Sequence, residues 1–228
     1  MGSYEYTMGK ELDLKAEQEK TLAAPALRSN VILKVMYWTM DKIYGPKPSL
    51  PKVKVLEILA RYPYWAWENG GYRGLTRLHA ATWEPRANDI QRYKGYIQLG
   101  RKSQDNEEYH MLILEDIIAQ KGMELGWLTH YLLPRVMAFV YYYLSRIIFY
   151  LSPAMSFYMN AAFESHAEHE YMKFAQAHPE WDEEPVESKY FDVYYPRQRT
   201  LGDLLRRIAL DERDHMYASL EEWENLRT

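Results

Sequence analysis

Two short segments, Asn106-Glu107-Glu108-Tyr109-His110 and Asp211-Glu212-Arg213-Asp214-His215, each carry a Glu-x-x-His step in a stretch patterned as a helix. Residues three apart on a helix share a face, so Glu107 with His110, and Glu212 with His215, can each grip a metal ion. Such a pair on each of two helices, joined by one glutamate from each of two others, is the ligand set of carboxylate-bridged di-iron bundles. The chain offers both further glutamates. Glu57 lies within Val55-Leu56-Glu57-Ile58-Leu59, and Glu164 follows Ala161-Ala162-Phe163. A carboxylate among apolar neighbours is costly unless it is paired or bound to metal. A lone Glu-x-x-His is most often a surface pair. Two of them with two such glutamates point to a ferritin-like four-helix bundle built around two metal ions.

The rest of the pattern is compatible with that bundle. No stretch alternates with period two and no repeat of fixed period is present, so an all-α fold is expected. Residues 1–27 read as a polar arm and residues 28–228 as one domain. Helices are expected from about Ser29 to Tyr44, capped by Ser29 or Asn30, and from Ser49-Leu50-Pro51 through Glu57 toward Trp67. Asn69-Gly70-Gly71 is expected to interrupt the second before Leu75–Trp83. Further helices follow over about Arg86–Lys121, Trp127–Leu151, Pro153–Ala177 and Thr200–Leu226, with residues 178–199 as a surface loop.

Composition removes several function classes. The chain has no cysteine, which excludes disulfides, thiolate metal sites and cysteine nucleophiles. A net charge of −4 argues against a nucleic-acid partner. The N-terminal stretch has no apolar signal core, and Glu5, Glu11, Asp13, Glu17 and Glu19 run against an acid-poor transit pattern. Neither kind of leader is therefore expected within it, and Tyr6 breaks the myristoylation pattern.

With 21 Tyr and 7 Trp, the chain is rich in side chains that favour a boundary between apolar and wet surroundings. Residues 127–151 form the most apolar stretch, yet Arg146 lies within it and would cost roughly 3 kcal/mol at the centre of a spanning helix. The helix at 29–44 has Val31, Ile32, Val35 and Trp38 on one side and Lys34, Asp41 and Lys42 elsewhere. Such helices lie in the membrane interface rather than crossing it. Attachment to one leaflet is expected, with the apolar faces of the two helices side by side as an exposed patch.

The ordered set of segments also resembles a known family. VLEILARYPYWAW around Leu56-Glu57, NEEYH and ILED in the helix at 86–121, FESHAEHEY around Glu164, and DERDH near the end are similar to those of the alternative oxidases. The plastid terminal oxidases, which are plastoquinol oxidases, are the branch most resembled, and Leu78-His79 with Trp83 falls where that branch carries a Leu-His and a Trp. The resemblance covers about residues 28–218. It implies a monotopic membrane enzyme with a di-iron centre that oxidises a membrane quinol, plastoquinol or ubiquinol, and reduces O2 to water without pumping protons. Glu57, Glu107, His110, Glu164, Glu212 and His215 would be the ligands of two iron ions, and Asn106 and Asp211 would orient them. A redox-active tyrosine follows the glutamate of the fifth helix by seven residues in that family, as Tyr171 follows Glu164 here. The same spacing puts both on one helix face.

The chain departs from the mitochondrial branch in having Glu164-Ser165-His166 where that branch has three consecutive glutamates. A quinol pocket is expected at Leu56, Ala167 and His166. His166 and His169 read either as polar groups near that pocket or as exposed side chains. A homodimer is compatible with the reading. Two other functions fit the ligand set, a membrane-bound di-iron hydroxylase of a quinone precursor or lipid, and a non-catalytic subunit that kept the fold.

Overall fold

A computed structural model describes residues 4–81 and 86–227, which leaves Trp83 outside the described residues. Among them are seven α-helices: α1 (Leu14–Ala23), α2 (Val31–Tyr44), α3 (Leu50–Ala81), α4 (Ala87–Gln120), α5 (Leu133–Leu151), α6 (Pro153–Ala177) and α7 (Leu201–Asn225). No strand occurs among the described residues; the loop after α6 holds only isolated bridges, Pro185 with Thr200 and Phe191 with Tyr195. Local chemistry sets several ends. The Asn30 side chain accepts from Leu33 N at the start of α2, and Gly45, at φ 90°, closes it. Ser152 caps α6 with Pro153 in the first turn, and the Thr200 side chain accepts from Asp203 N to open α7.

The bundle is α3, α4, α6 and α7. Gly71 meets Tyr93 and Ile97, Gly100 meets Tyr64, and Glu57 meets His110, so α3 and α4 run antiparallel. Asn160 meets Ser219 and Glu168 meets Arg213, which sets α6 antiparallel to α7. The expected interruption at Asn69-Gly70-Gly71 does not occur, because these glycines are notches rather than turns. A methyl carbon on Gly71 would lie 2.7 Å from the Tyr93 carbonyl oxygen, and one on Gly100 2.7 Å from that of Tyr64. Close helix packing offsets the propensity penalty of glycine.

The 127–151 stretch divides. A π-helical turn at Leu128–Leu132 precedes α5, whose second residue is Pro134. A proline cannot supply the helical N–H and crowds the carbonyl four residues back, which widens the preceding turn.

α2 and α5 lean on the bundle through Leu33, Met40, Tyr141 and Ile148 and leave their other faces bare. Trp38 is 61% exposed on α2, and Phe139 is 65% and Leu151 71% exposed on α5. The Tyr44 hydroxyl donates to the Thr129 carbonyl at 2.5 Å, so the end of α2 adjoins the turn that begins α5. Leu128–Leu151 is the one helix among the described residues long and apolar enough to cross a membrane, but only 33% of its most apolar window is buried, so it is not a core helix.

Residues 4–27 are polar in composition yet fold as a strap that contains α1 and lies across α6 and α7. The Thr7 and Met8 amides donate to the Asp214 carboxylate at 2.7 and 2.6 Å. Gln18 donates to the Met172 carbonyl at 2.7 Å and accepts from Arg206 at 3.0 Å. Arg213 holds Glu17, Glu168 and Thr21 together beneath the strap.

Candidate metal centre

Each bundle helix contributes glutamate to the same interior point. Glu57 comes from α3, Glu107 and His110 from α4, Glu164 from α6, and Glu212 and His215 from α7. All are buried. They form two overlapping groups, Glu57, Glu107, His110 and Glu212, and Glu107, Glu164, Glu212 and His215, whose donor atoms within each group lie within 4.8 Å of one another. Glu107 and Glu212 belong to both. The arrangement could hold two adjacent cations, with Glu107 and Glu212 available to both and one imidazole in each group.

The unpaired atoms fit that assignment. Both carboxylate oxygens of Glu107 and of Glu212, one of Glu164, and His215 Nδ1 are buried and make no well-aligned hydrogen bond, although His215 Nδ1 lies 2.8 Å from a Glu107 oxygen and His110 Nδ1 3.2 Å from one of Glu212. Buried polar atoms are almost always satisfied, so a cluster of orphans around one point calls for an ion. Electrostatics agree. Burial, and then the negative charges of Glu212 and Glu57, push the Glu107 carboxyl well above the usual carboxylate range. Burial and Glu212 do the same to Glu164. Glu212 differs: burial would raise its carboxyl, but the hydrogen bonds and charges of His110 and His215 hold it at about 2, so a cation in the site would favour the ionised forms of Glu107 and Glu164 most. Carboxylate and imidazole donors suit divalent first-row metals, and the absence of thiolate fits the cysteine-free sequence.

A surrounding layer of hydrogen bonds fixes the donors. His110 Nδ1 lies 3.2 Å from both Glu57 and Glu212, while its Nε2 lies 3.2 Å from Asp211 Oδ2. Burial alone would raise the Asp211 carboxyl, but the hydrogen bond and charge of His110 and the charge of Arg207 hold it at about 2. Asp211 thus stays anionic and can accept from Nε2–H, which turns Nδ1 toward Glu57 and Glu212. Burial would lower the imidazole pKa, but its hydrogen bonds to Asp211, Glu212 and Glu57 raise it well above the ordinary value, so a metal at Nδ1 would take the place of a proton. Tyr195 also donates to Asp211, at 2.5 Å, and Arg207 at 2.8 Å. At the far end the Tyr64 hydroxyl donates to Glu164 at 2.6 Å, and the Asn160 amide donates to the same oxygen at 2.9 Å.

Tyr171 is fully buried and donates its hydroxyl to Glu57. The seven-residue offset puts it on the Glu164 face of α6, yet its contact is with the glutamate contributed by α3. Burial, and then the Glu57 charge, raise its phenol well above the ordinary value, so it is a neutral donor.

The other expectations divide. Asp211 holds His110, but Asn106 contacts none of the six side chains among the described residues, and its Oδ1 is buried and unpartnered. Leu56 and His166 line a small cavity of about 30 Å³ with Tyr37, Lys52 and Glu170. His166 stacks on Tyr37 with ring centres 3.8 Å apart. Ala167 is buried in the apolar cluster that holds Leu56 but is not part of the cavity wall. His169 is neither exposed nor at the cavity; its ring nitrogens face the Ser165 and Ala24 carbonyls at 2.7 and 3.0 Å and tie α6 to the strap.

Sequence reasoning missed Tyr64, Asn160, Tyr195 and Arg207. Three carried a periodic signal: Tyr64 follows Glu57 by seven residues and Asn160 precedes Glu164 by four. Arg207 precedes Asp211 by four on α7. Tyr195, on an irregular loop, carried none.

Comparison with known proteins agrees with this centre. The family model described as alternative oxidase matches residues 29–221. Ubiquinol oxidase 4, chloroplastic/chromoplastic, of Arabidopsis thaliana is 30% identical over 138 residues, which are 60% of this chain and 34% of that protein. The matched part therefore spans about a third of that relative's length. The family match reaches across all four bundle helices and takes in all six converging side chains, and on that basis the chain belongs to the alternative oxidase family.

Proposed function

We propose that this chain is a quinol:oxygen oxidoreductase with two iron ions at the centre, attached to one leaflet of an energy-transducing membrane. The observation that carries the reading is the pair of shared carboxylates, Glu107 and Glu212, with a buried phenol, Tyr171, hydrogen-bonded to Glu57. The relative's name, ubiquinol oxidase, supports a quinol as reductant.

Glu57, Glu107, His110, Glu164, Glu212 and His215 would hold the irons, which supply electron transfer from quinol to dioxygen. The chain's own residues do the rest. Tyr64 and Asn160 fix the Glu164 carboxylate, and Asp211 fixes the tautomer of His110. Apolar layers from Ile113, Leu114 and Ile208 on one side, and from Tyr64, Trp67 and Phe157 on the other, exclude bulk water. Tyr171 holds a proton at its hydroxyl oxygen, aimed at Glu57, and can give up that proton with an electron.

The quinol would enter between α2 and α6, where Leu56, Lys52, His166 and Glu170 surround the small cavity. That space is smaller than a quinol ring, so entry requires its wall to open. Two quinols give four electrons and four protons, which reduce one O2 to two waters. Attached to one leaflet, the protein has no proton path across the membrane, so the reaction dissipates energy.

The bare faces of α2 and α5 support this attachment. An exposed apolar surface of that kind on a water-facing protein would be an association hazard. Oxygen uptake by purified, iron-loaded protein with plastoquinol, ubiquinol and menaquinol analogues tests the reading. Water as the sole oxygen product is expected. A hydroxylated quinone or lipid would overturn the reading in favour of a hydroxylase, and no uptake with any quinol would overturn it outright.

A further inference from the structure

Arg146 interrupts the apolar run of α5. It is half-buried, donates to the Tyr142 hydroxyl at 3.2 Å, lies over that ring, and has no carboxylate partner among the described residues. Across the gap toward α3, Arg73 and Arg77 stand one turn apart, exposed, and also without a carboxylate partner among the described residues. All three line one cavity of about 190 Å³, along with Tyr93 and Tyr150. Gly70 and Gly74, also in its wall, admit the rings of Phe149 and Tyr93 against α3.

Three guanidinium groups around one cavity, with no carboxylate in its wall, make it a locally positive site that favours an anion. The planar fork of arginine matches phosphate oxygens in pairs, which a diffuse cloud of counterions does not exploit. Position decides the kind of anion. Ile147, Tyr150 and Leu151 are exposed on the same helix beside the cavity, so a ligand with its charge among the arginines has apolar protein surface directly alongside. A charged head joined to long apolar tails satisfies both. Basic pockets between helices at a membrane boundary bind lipid headgroups for this reason.

We propose that Arg73, Arg77 and Arg146 form a binding site for the phosphate headgroup of an anionic phospholipid, whose acyl chains lie along the bare face of α5. The site rests on the one-leaflet reading above and adds to it a lipid preference and a fixed point of attachment near the end of α5. It involves none of the six converging side chains.

The test is co-sedimentation of the purified full chain with vesicles of phosphatidylcholine, and with vesicles in which a third of that lipid is phosphatidylglycerol. Wild type should prefer the second, with each arginine near the surface contributing roughly fivefold to partitioning. Arg73→Gln/Arg77→Gln/Arg146→Gln should lose that preference while keeping its helical circular dichroism, its iron binding and its attachment to phosphatidylcholine. The matching lysine triple should retain most of the preference. Lys10→Gln/Lys102→Gln/Lys189→Gln, which removes the same charge from residues outside the cavity, should behave as wild type. The site is overturned if the arginine triple keeps its preference, or if the lysine control loses as much. Suppression of the preference by inorganic phosphate at matched headgroup concentration would assign the cavity to free phosphate and overturn the lipid. Wild type that binds neither vesicle would overturn the one-leaflet reading itself, and the site with it.

Discussion

The Tyr195 hydroxyl donates to Asp211 Oδ2 at 2.5 Å, and that same oxygen faces His110 Nε2 at 3.2 Å. A tyrosine on an irregular loop thus acts on the metal centre through two intermediaries, by holding the carboxylate that fixes the tautomer of an imidazole. Loss of such a partner typically lowers metal affinity by about 10–100-fold. Tyr195→Phe keeps the ring packed against His110 and should weaken ferrous iron binding by about tenfold, read by calorimetric titration, with helical content unchanged. Wild-type affinity in the variant would remove Tyr195 from the support of the centre.

Tyr171→Phe separates electron supply from metal binding. The substitution removes a hydrogen-bond donor and no donor atom of the centre. Iron should bind with near wild-type stoichiometry, and stability should fall by about 1 kcal/mol for the unpaired Glu57 oxygen. Quinol-dependent oxygen uptake should nearly vanish. Normal turnover in the iron-loaded variant would show that the phenol has no redox part.

Glu107 is a shared ligand in the proposed assignment, so its removal should act in opposite directions with and without metal. In the metal-free protein burial, and then the charges of Glu212 and Glu57, disfavour its ionised form. Glu107→Gln should leave the metal-free melting temperature unchanged or raise it by about 3 °C, equivalent to about 1 kcal/mol in a chain of this size. Wild type should gain about 2.7 kcal/mol of stability at ferrous iron a hundredfold above its dissociation constant. The variant should gain far less. An equal metal-induced rise in the two proteins would rule out a shared position for Glu107.

The strap offers a prediction about acid stability. Burial would raise the Glu17 carboxyl, but Lys20 and Arg213 outweigh it and hold the group below its ordinary 4.5. A carboxyl lowered in the folded state contributes stability that is complete above 4.5 and is lost as pH falls through the lower folded value. Melting temperature should therefore decline more steeply below pH 4.5 in wild type than in Glu17→Gln. Arg213→Ala should be the harsher change, since it leaves Glu168, whose side chain is 5% exposed, with only the Thr21 hydroxyl and Glu17 with only Lys20, at a cost of about 3 kcal/mol. Matching acid profiles for wild type and Glu17→Gln would contradict the ion pair.

The sequence by itself determined the helical class, most helix limits and the six side chains that converge on one interior point. Those features rest on short-range periodicity: three-residue steps place Glu107 with His110 and Glu212 with His215, and an isolated glutamate in an apolar run has few physical outcomes besides a metal. The bare faces of α2 and α5 were legible for the same reason. The sequence misled at Asn69-Gly70-Gly71, because glycine reads as a break whether it turns the chain or admits a neighbouring helix, and only the approach of Tyr93 and Ile97 tells the two apart. At residues 4–27 the sequence showed a polar arm but not where it lies, which its pairing with Asp214, Arg206 and Arg213 from the far end of the chain decides. Asn106 and Asp211, each one residue before a Glu-x-x-His step, looked equivalent, yet only Asp211 reaches a histidine. Tertiary structure alone decided which glutamates are shared, that Tyr171 serves Glu57 rather than the glutamate of its own helix, and that Tyr195 supports His110. Each of these is a contact between elements far apart in sequence, set by how whole helices pack, and no local spacing encodes it.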